Sequence, residues 1–165
     1  MTAMVVTDAG RFLISTDRAK LDVDVIHGFL TRSYWAEGIP RETVMRAIEN
    51  SLCFGVYNGT EQVGFARVIS DFATYAYLAD VFILEPYSER GLGKELVATV
   101  MAHPELQGLR RWSLGTRDAH GLYSQFGFTA LENPSRMMEI ADTEVYLRSA
   151  ISPLRDCSPS LKGRG

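Results

Sequence analysis

Apolar residues in the first third of the chain predict one short strand and two helices. Residues 12–14 are a continuous apolar run that suits an opening strand. In residues 21–34 the apolar positions, including Leu21, Val25 and Phe29, recur at helical spacing. A second helix is predicted to open with Pro40 in its first turn and to end near residue 51.

The periodicity changes from helical to strand-like after residue 51. Residues 52–57 and 63–69 are predicted to be strands, and Asn58-Gly59 between them is a hairpin turn signal. A longer apolar strand is predicted over residues 75–84. These segments therefore predict a sheet that is rich in hairpins.

A glycine loop and alternating elements follow the long strand. A helical pattern after Gly91-Leu92-Gly93 stops at Pro104, because proline interrupts a helix. Residues 112–116 are predicted to be a strand, residues 120–126 a short helix, and residues 137–140 a last strand. The order predicts an α+β (mixed α/β) layout.

Composition and charge restrict the class of protein. The chain has 165 residues and a mass of 18.4 kDa, which predicts one domain over residues 1–152 and a mobile tail over residues 153–165. Cys53 and Cys157 are too few for a disulfide framework or an all-cysteine zinc site. No apolar run reaches the ~20 residues that span a bilayer, and the start of the chain does not resemble a signal peptide. The net charge of −3 comes without a basic stripe. We therefore expect a cytoplasmic location and no nucleic-acid or membrane partner.

The segment Arg90-Gly91-Leu92-Gly93-Lys94 has the chemistry of a phosphate-binding turn. Two glycines between a strand and a helix allow close backbone approach, and the helix start offers unpaired N–H groups and a positive dipole end. The Walker pattern needs a serine or threonine after the lysine, but Glu95 follows Lys94. The dinucleotide fingerprint needs a third glycine, but Leu96 occupies that position. A tight turn before a helix is the alternative interpretation.

Two motifs together resemble the Gcn5-related N-acetyltransferase superfamily over most of residues 11–140. The first is the strand and loop Val81-Phe82-Ile83-Leu84-Glu85-Pro86-Tyr87-Ser88-Glu89-Arg90-Gly91-Leu92-Gly93-Lys94. The second is Leu122-Tyr123-Ser124-Gln125-Phe126-Gly127-Phe128, with Ala119 three residues before it. The sequence departs from the family at Ser88, where an arginine or glutamine is usual, and at Thr116, where asparagine is frequent.

The resemblance implies acetyl-CoA as cosubstrate, no metal, and direct acetyl transfer to an amine. It implies a mostly antiparallel mixed sheet, flanked by about four helices, in which two parallel strands containing Ile83 and Ser113 splay apart. A backbone N–H near Phe82 or Ile83 would then stabilise the oxyanion. The implied cofactor-binding residues are Val81, Phe82, Ile83, Ser88, Glu89, Arg90, Gly91, Leu92, Gly93, Lys94, Thr116 and Tyr123.

Two catalytic residues are predicted. Tyr123 matches the family tyrosine that faces the CoA sulfur and would protonate the departing thiolate; a core tyrosine is the alternative. Asp80 is predicted to be the general base, because strand alternation places it with Leu78 and Phe82 on a mostly apolar strand. An ion-paired carboxylate is equally consistent with the pattern, and His120 or a water chain are other candidates for the base.

The acceptor pocket implied by the resemblance lies between the first two helices. Tyr34, Trp35 and Glu37 are predicted to bind the substrate, since aromatic rings and a carboxylate suit a cationic amine. Core packing explains Tyr34 and Trp35 equally well. Tyr75 and Tyr77 also lie near the expected site, but core packing is the favoured interpretation for these two.

Several functions remain open at this level. The leading hypothesis is an N-acetyltransferase that acts on a primary amine of a small molecule or protein. Transfer of another acyl chain, a CoA-binding sensor without turnover, and a nucleotide-binding protein are the alternatives. The resemblance also leaves a homodimer open, since dimers are common among relatives.

Overall fold

A computed structural model describes residues 4–7 and 11–149 of the chain. The predicted tail over residues 153–165, with Cys157, lies outside the described residues. Six strands form one sheet in the order β1-β2-β3-β4-β5-β6. Their bounds are β1 Met4–Thr7, β2 Phe12–Ser15, β3 Leu52–Asn58, β4 Glu61–Ser70, β5 Tyr75–Ile83 and β6 Arg111–Ser113.

The sheet is mixed and mostly antiparallel, which confirms the predicted fold class. Each neighbouring pair from β1 to β5 is antiparallel, whereas β5 and β6 are parallel. The hairpin predicted at Asn58-Gly59 joins β3 to β4, and Gly59 adopts the left-handed conformation with φ +61° that such a turn requires. β1 was not predicted from the sequence.

The part of the chain that the structure describes has five α-helices: α1 Val23–Leu30, α2 Arg41–Glu49, α3 Leu92–Met101, α4 His120–Ser124 and α5 Val145–Ser149. α1 begins where the Asp22 carboxylate accepts hydrogen bonds from the N–H groups of Asp24 and Val25. Pro40 precedes α2 as its N-cap instead of lying in its first turn. Both helices match the predicted segments in position.

Two apolar clusters place these helices on opposite faces of the sheet. One face packs α1 and α2 through residues such as Ile26, Leu30 and Val44 against Phe65 and Phe82. The other face packs α3 through residues such as Leu96 and Val100 against Phe54, Val68 and Leu78. Tyr123 of α4 belongs to this second cluster, so α4 lies on the same face as α3.

Two predicted strands differ from the structure. β6 ends at Ser113 and not at residue 116, because only its three residues pair with β5. The last strand predicted over residues 137–140 is wrong: these residues have no strand structure, and Met138 and Ile140 are fully exposed. A short apolar segment forms a strand only where a neighbouring strand supplies hydrogen-bond partners.

Candidate active site

The parallel strands β5 and β6 diverge within a few residues of where they meet. They pair at Tyr75↔Arg111, Ala76↔Trp112 and Tyr77↔Ser113, after which β5 continues to Ile83 without β6 beside it. The divergence leaves one edge of β5 open between the last two strands of the described sheet. This is the wedge predicted between the strands containing Ile83 and Ser113.

A β-bulge in β5 begins at the wedge. Arg67 pairs with Ala79 and Phe65 pairs with Phe82, so that Asp80 and Val81 together lie opposite Ala66 alone. Asp80 has the left-handed backbone conformation, with φ +55°, which aspartate tolerates better than most residues.

The bulge also corrects the predicted face of Phe82. Leu78 packs in the cluster under α3, whereas Phe82 packs in the cluster under α1 and α2, so the two residues lie on opposite faces. Simple alternation failed here because the extra residue of the bulge reverses the alternation beyond it. Val81 and Ile83 consequently pack towards the α3 face.

The free backbone donor on this edge is best assigned to Ile83. The N–H of Leu84 donates to the carbonyl of Val63 at 2.8 Å, and Phe65 pairs with Phe82. Because N–H groups alternate between the two sides of an antiparallel strand, the N–H of Ile83 points away from β4 and into the wedge. Of the two donors considered from the sequence, the geometry therefore favours Ile83 over Phe82.

The glycine loop lies at the end of the same strand and opens α3. Gly91 is the N-cap of α3 with φ +76°, and no side chain caps the helix. The N–H groups of Leu92, Gly93 and Lys94 therefore lack intrahelical partners at the positive end of the helix dipole. A Cβ added at Gly93 would touch only Ile83, at 4.0 Å, so the loop lies directly against β5.

Side chains around the loop are exposed and mostly basic. Arg90 and Lys94 are exposed, and the Arg90 guanidinium lies 5.7 Å from the centre of the Tyr87 ring. Glu89 precedes them with a positive φ of 65°. The Ser88 hydroxyl donates to the carbonyl of Glu85 at 2.7 Å, so this side chain closes the turn before the loop.

Tyr123 reaches the wedge from α4. Its side chain is largely buried, packs edge-on against Phe128 and lines a cavity of about 750 Å³. Burial raises the pKa of the Tyr123 phenol above its ordinary value, and the neighbouring Tyr34 and Asp118 act in the same direction. The phenol therefore keeps its proton throughout the neutral pH range.

The cavity extends from the wedge to the helices α1 and α2. Its walls include Tyr34 and Trp35 from the α1–α2 loop, Tyr77 and Asp80 from β5, and Thr116 from the loop after β6. The Thr116 hydroxyl accepts a hydrogen bond from the N–H of Ala119 at 3.0 Å and so supports the start of α4. These predicted residues are thus brought together around one space.

Three predicted or considered residues lie elsewhere. Glu37 is exposed and does not line the cavity, and His120 is exposed at the first position of α4. Tyr75 lies at the start of β5, where its hydroxyl bonds to Ser113.

Several cavity residues were missed from the sequence, and the charged ones are Arg67, Arg117, Asp118 and Glu139. The Arg117 guanidinium lies 3.9 Å from the centre of the Tyr34 ring, and the backbone N–H of Arg117 donates to the Tyr34 hydroxyl at 3.2 Å. One face of Tyr34 is therefore already occupied by a cation. No local pattern marks these residues, because each reaches the cavity through the tertiary fold.

Among the residues that the structure describes, no group of three or more His, Cys, Asp or Glu side chains is placed to hold a metal ion. Within the same residues, no helix is long and apolar enough to cross a membrane.

Comparison with known proteins agrees with this geometry. The model of the acetyltransferase (GNAT) family matches residues 23–128, which span α1 to the end of the Tyr123 motif. The chain belongs to the GNAT acetyltransferase family. A candidate acetyltransferase of Gibberella zeae is 35% identical to this GNAT protein, over 70% of this chain and 77% of the relative.

Solved structures of GNAT proteins share the fold. A candidate GNAT acetyltransferase from Xanthomonas campestris is 51% identical, with a TM-score of 0.80 over 82% of this chain and 96% of the other. A GNAT acetyltransferase from Elizabethkingia anophelis, solved with acetyl-CoA bound, is 15% identical with a TM-score of 0.58 and covers 74% of this chain and 78% of its own. At that identity the likeness supports the fold alone.

Proposed function

We propose that this protein transfers an acetyl group from acetyl-CoA to a primary amine of a small molecule or a protein. One observation carries the proposal: the edge of β5 that β6 leaves open lines one cavity with Tyr123 through residues 79–81 and has the glycine loop against its far end at Ile83. Family membership supports acetyl transfer, and the amine acceptor and the role of Tyr123 are our own proposals.

The residues present fit acetyl-CoA. The uncapped N-terminus of α3 suits the pyrophosphate, because its N–H groups and dipole favour an anion. The exposed Arg90 and Lys94 add positive charge beside it. The Ile83 N–H on the open edge of β5 suits the thioester carbonyl, whose oxygen gains negative charge during transfer.

The proposed reaction is a single displacement at the thioester. The amine nitrogen, after losing its proton to water in the cavity, bonds to the carbonyl carbon, and the carbon–sulfur bond breaks. The thiolate takes the phenolic proton of Tyr123, the nitrogen releases its surplus proton to solvent, and solvent reprotonates the phenolate. The products are the acetylated amine and free CoA thiol.

The test is thiol release from acetyl-CoA with a panel of small amines, amino acids and peptides. Acceptor-dependent release supports the proposal, and Tyr123→Phe is expected to lower kcat about a hundredfold without changing acetyl-CoA affinity. Tyr57→Phe is the matched control, since the Tyr57 hydroxyl is buried without a hydrogen-bond partner and lies outside the cavity. Tight acetyl-CoA binding with no release for any acceptor would favour a CoA-binding sensor instead.

We also propose that the protein is cytoplasmic and that its partners are amine acceptors. Nucleic acid and membranes are not partners in this proposal.

A further inference from the structure

The carboxylate of Asp80 uses both of its oxygens within the protein. Oδ2 accepts a hydrogen bond from Arg67 Nε at 2.8 Å, and Oδ1 accepts one from Trp35 Nε1 at 3.0 Å. The side chains of Asp80 and Arg67 are only 11% and 16% exposed. Each oxygen thus accepts a hydrogen bond from the protein, and a proton taken from an amine would have to compete for this carboxylate with the paired charge of Arg67.

Arg67 connects this carboxylate to the helical layer. Its Nη1 donates to the Ser51 hydroxyl at 3.1 Å, and Ser51 is buried in the turn between α2 and β3. A planar guanidinium can hold both partners in one fixed geometry, which a lysine cannot do. The side of the cavity that α1, α2 and the loop between them form is the acceptor side, where the amine is proposed to bind. Arg67 thus links the bulge of β5 to the turn that follows α2 on this side.

The bulge needs such support because its backbone is strained. Asp80 occupies the left-handed region at φ +55°, and a conformation of this kind persists where surrounding contacts hold it. The bulge in turn sets which face Val81, Phe82 and Ile83 present, as the two apolar clusters show.

Trp35 is the other residue that this carboxylate holds. Its ring packs on Phe29 and edge-on against Tyr34, and it lines the cavity although 41% of the residue is exposed. Tyr34 is held at a second point by Arg117. The hydrogen bond to Asp80 therefore fixes the α1–α2 loop against β5 on the acceptor side.

We infer that Arg67, Asp80 and Trp35 form a clamp that positions the acceptor-side wall of the cavity, and that Asp80 is a positioning residue and not the general base. This inference rests on the proposed function for its kinetic test. It explains why a carboxylate occurs on a mostly apolar strand without assigning it a proton transfer. Arg67, which the sequence did not indicate, becomes a specificity residue for the acceptor.

Steady-state kinetics distinguish a positioning role of Asp80 from a role as general base. Trp35→Phe keeps an aromatic ring and removes the indole donor, so we expect the acceptor KM to rise about fivefold while kcat and the acetyl-CoA KM stay within about twofold. Arg67→Met is expected to raise the acceptor KM about tenfold or more, and Arg67→Lys to recover part of the loss. Asp80→Asn is expected to keep the acidic limb of the pH–rate profile.

Arg41→Met is the matched control, because Arg41 pairs with Asp24 in the same helical layer but both side chains are exposed and outside the cavity. If Arg67→Met behaves like Arg41→Met, the clamp is wrong. If Asp80→Asn loses the acidic limb and at least about a hundredfold in kcat at unchanged acceptor KM, Asp80 is the base.

Tryptophan emission gives a readout that does not depend on turnover. In a Trp112→Phe background Trp35 is the remaining tryptophan, since the chain has two. The clamp predicts that Asp80→Asn and Arg67→Met shift its emission to longer wavelength as the loop loosens, while Arg41→Met does not. Unchanged emission in both clamp variants would overturn the inference, and a wild type without acetyl transfer would overturn the proposed function alone.

Discussion

Replacing Gly91 by alanine tests the glycine loop with a single methyl group. A Cβ at Gly91 would meet no atom within 4 Å, so the substitution creates no clash. Gly91 nevertheless has φ +76°, and an alanine in that left-handed conformation costs about 1–2 kcal/mol. The effect of the variant is therefore one of backbone conformation and not of packing.

The strain is expected to appear mainly in cosubstrate binding. Residues 88–91 are exposed, so the free variant can relax out of the left-handed conformation, and binding must then restore it. A loss of about 1–2 kcal/mol corresponds to acetyl-CoA binding that is roughly 5- to 30-fold weaker. Calorimetry measures this affinity directly, and thermal unfolding measures the accompanying change in stability.

Gly59→Ala is the matched control for this experiment. Gly59 has φ +61° and equally open surroundings, but it lies in the β3–β4 hairpin, away from the loop. We expect Gly59→Ala to lower stability and to leave acetyl-CoA affinity unchanged. Equal acetyl-CoA affinity in the two variants would refute the assignment of the loop.

Three further predictions concern titratable groups. The Tyr123 phenol stays protonated at neutral pH, since burial raises its pKa, and Tyr123→Phe removes this proposed proton donor, so kcat should fall about a hundredfold, with Tyr57→Phe unaffected; equal rates in the two variants would exclude the phenol as acid. Burial lowers the pKa of His103, so the folded state binds fewer protons and the free energy of unfolding should fall as pH drops below about 6.5. His103→Asn keeps an acceptor for the Glu105 N–H and should flatten that slope in denaturant titrations at several pH values, whereas an unchanged slope would contradict the assignment. Burial raises the pKa of the Cys53 thiol to about 11, so peptide mapping should find it resistant to alkylation at pH 8 until the protein unfolds.

Much of the fold follows from local patterns. The helical spacing of residues 21–34, the hairpin signal Asn58-Gly59 and the glycines at the start of α3 each agree with the element that forms there. These are features whose cause lies within a few residues of chain, namely periodicity, turn conformation and capping.

The misplaced elements depend on partners that are distant along the chain. The alternation of β5 predicts a shared face for Leu78 and Phe82, but the bulge opposite Ala66 separates them. Residues 137–140 are mostly apolar, as a strand would be, yet no strand of the described chain pairs with them, and Glu139 lines the cavity instead. Such outcomes are set by tertiary pairing, which a local pattern does not contain.

The candidate site divides in the same way. Motif resemblance pointed to the loop and to Tyr123 because both occur in contiguous segments. Asp80 was found as an unusual carboxylate, but its partners Arg67 and Trp35 are 13 and 45 residues away in the chain. Their ion pair and hydrogen bond could be recognised only once the fold brought them together.

The most direct test of the central claim is calorimetric titration of the full chain with acetyl-CoA, CoA and ATP. The glycine loop and the wedge between β5 and β6 predict that acetyl-CoA and CoA bind at one site, that ATP does not, and that Gly91→Ala weakens both CoA ligands. Absence of binding by acetyl-CoA and CoA would mean that the loop is only a turn before α3, and it would contradict the proposed acetyl transfer.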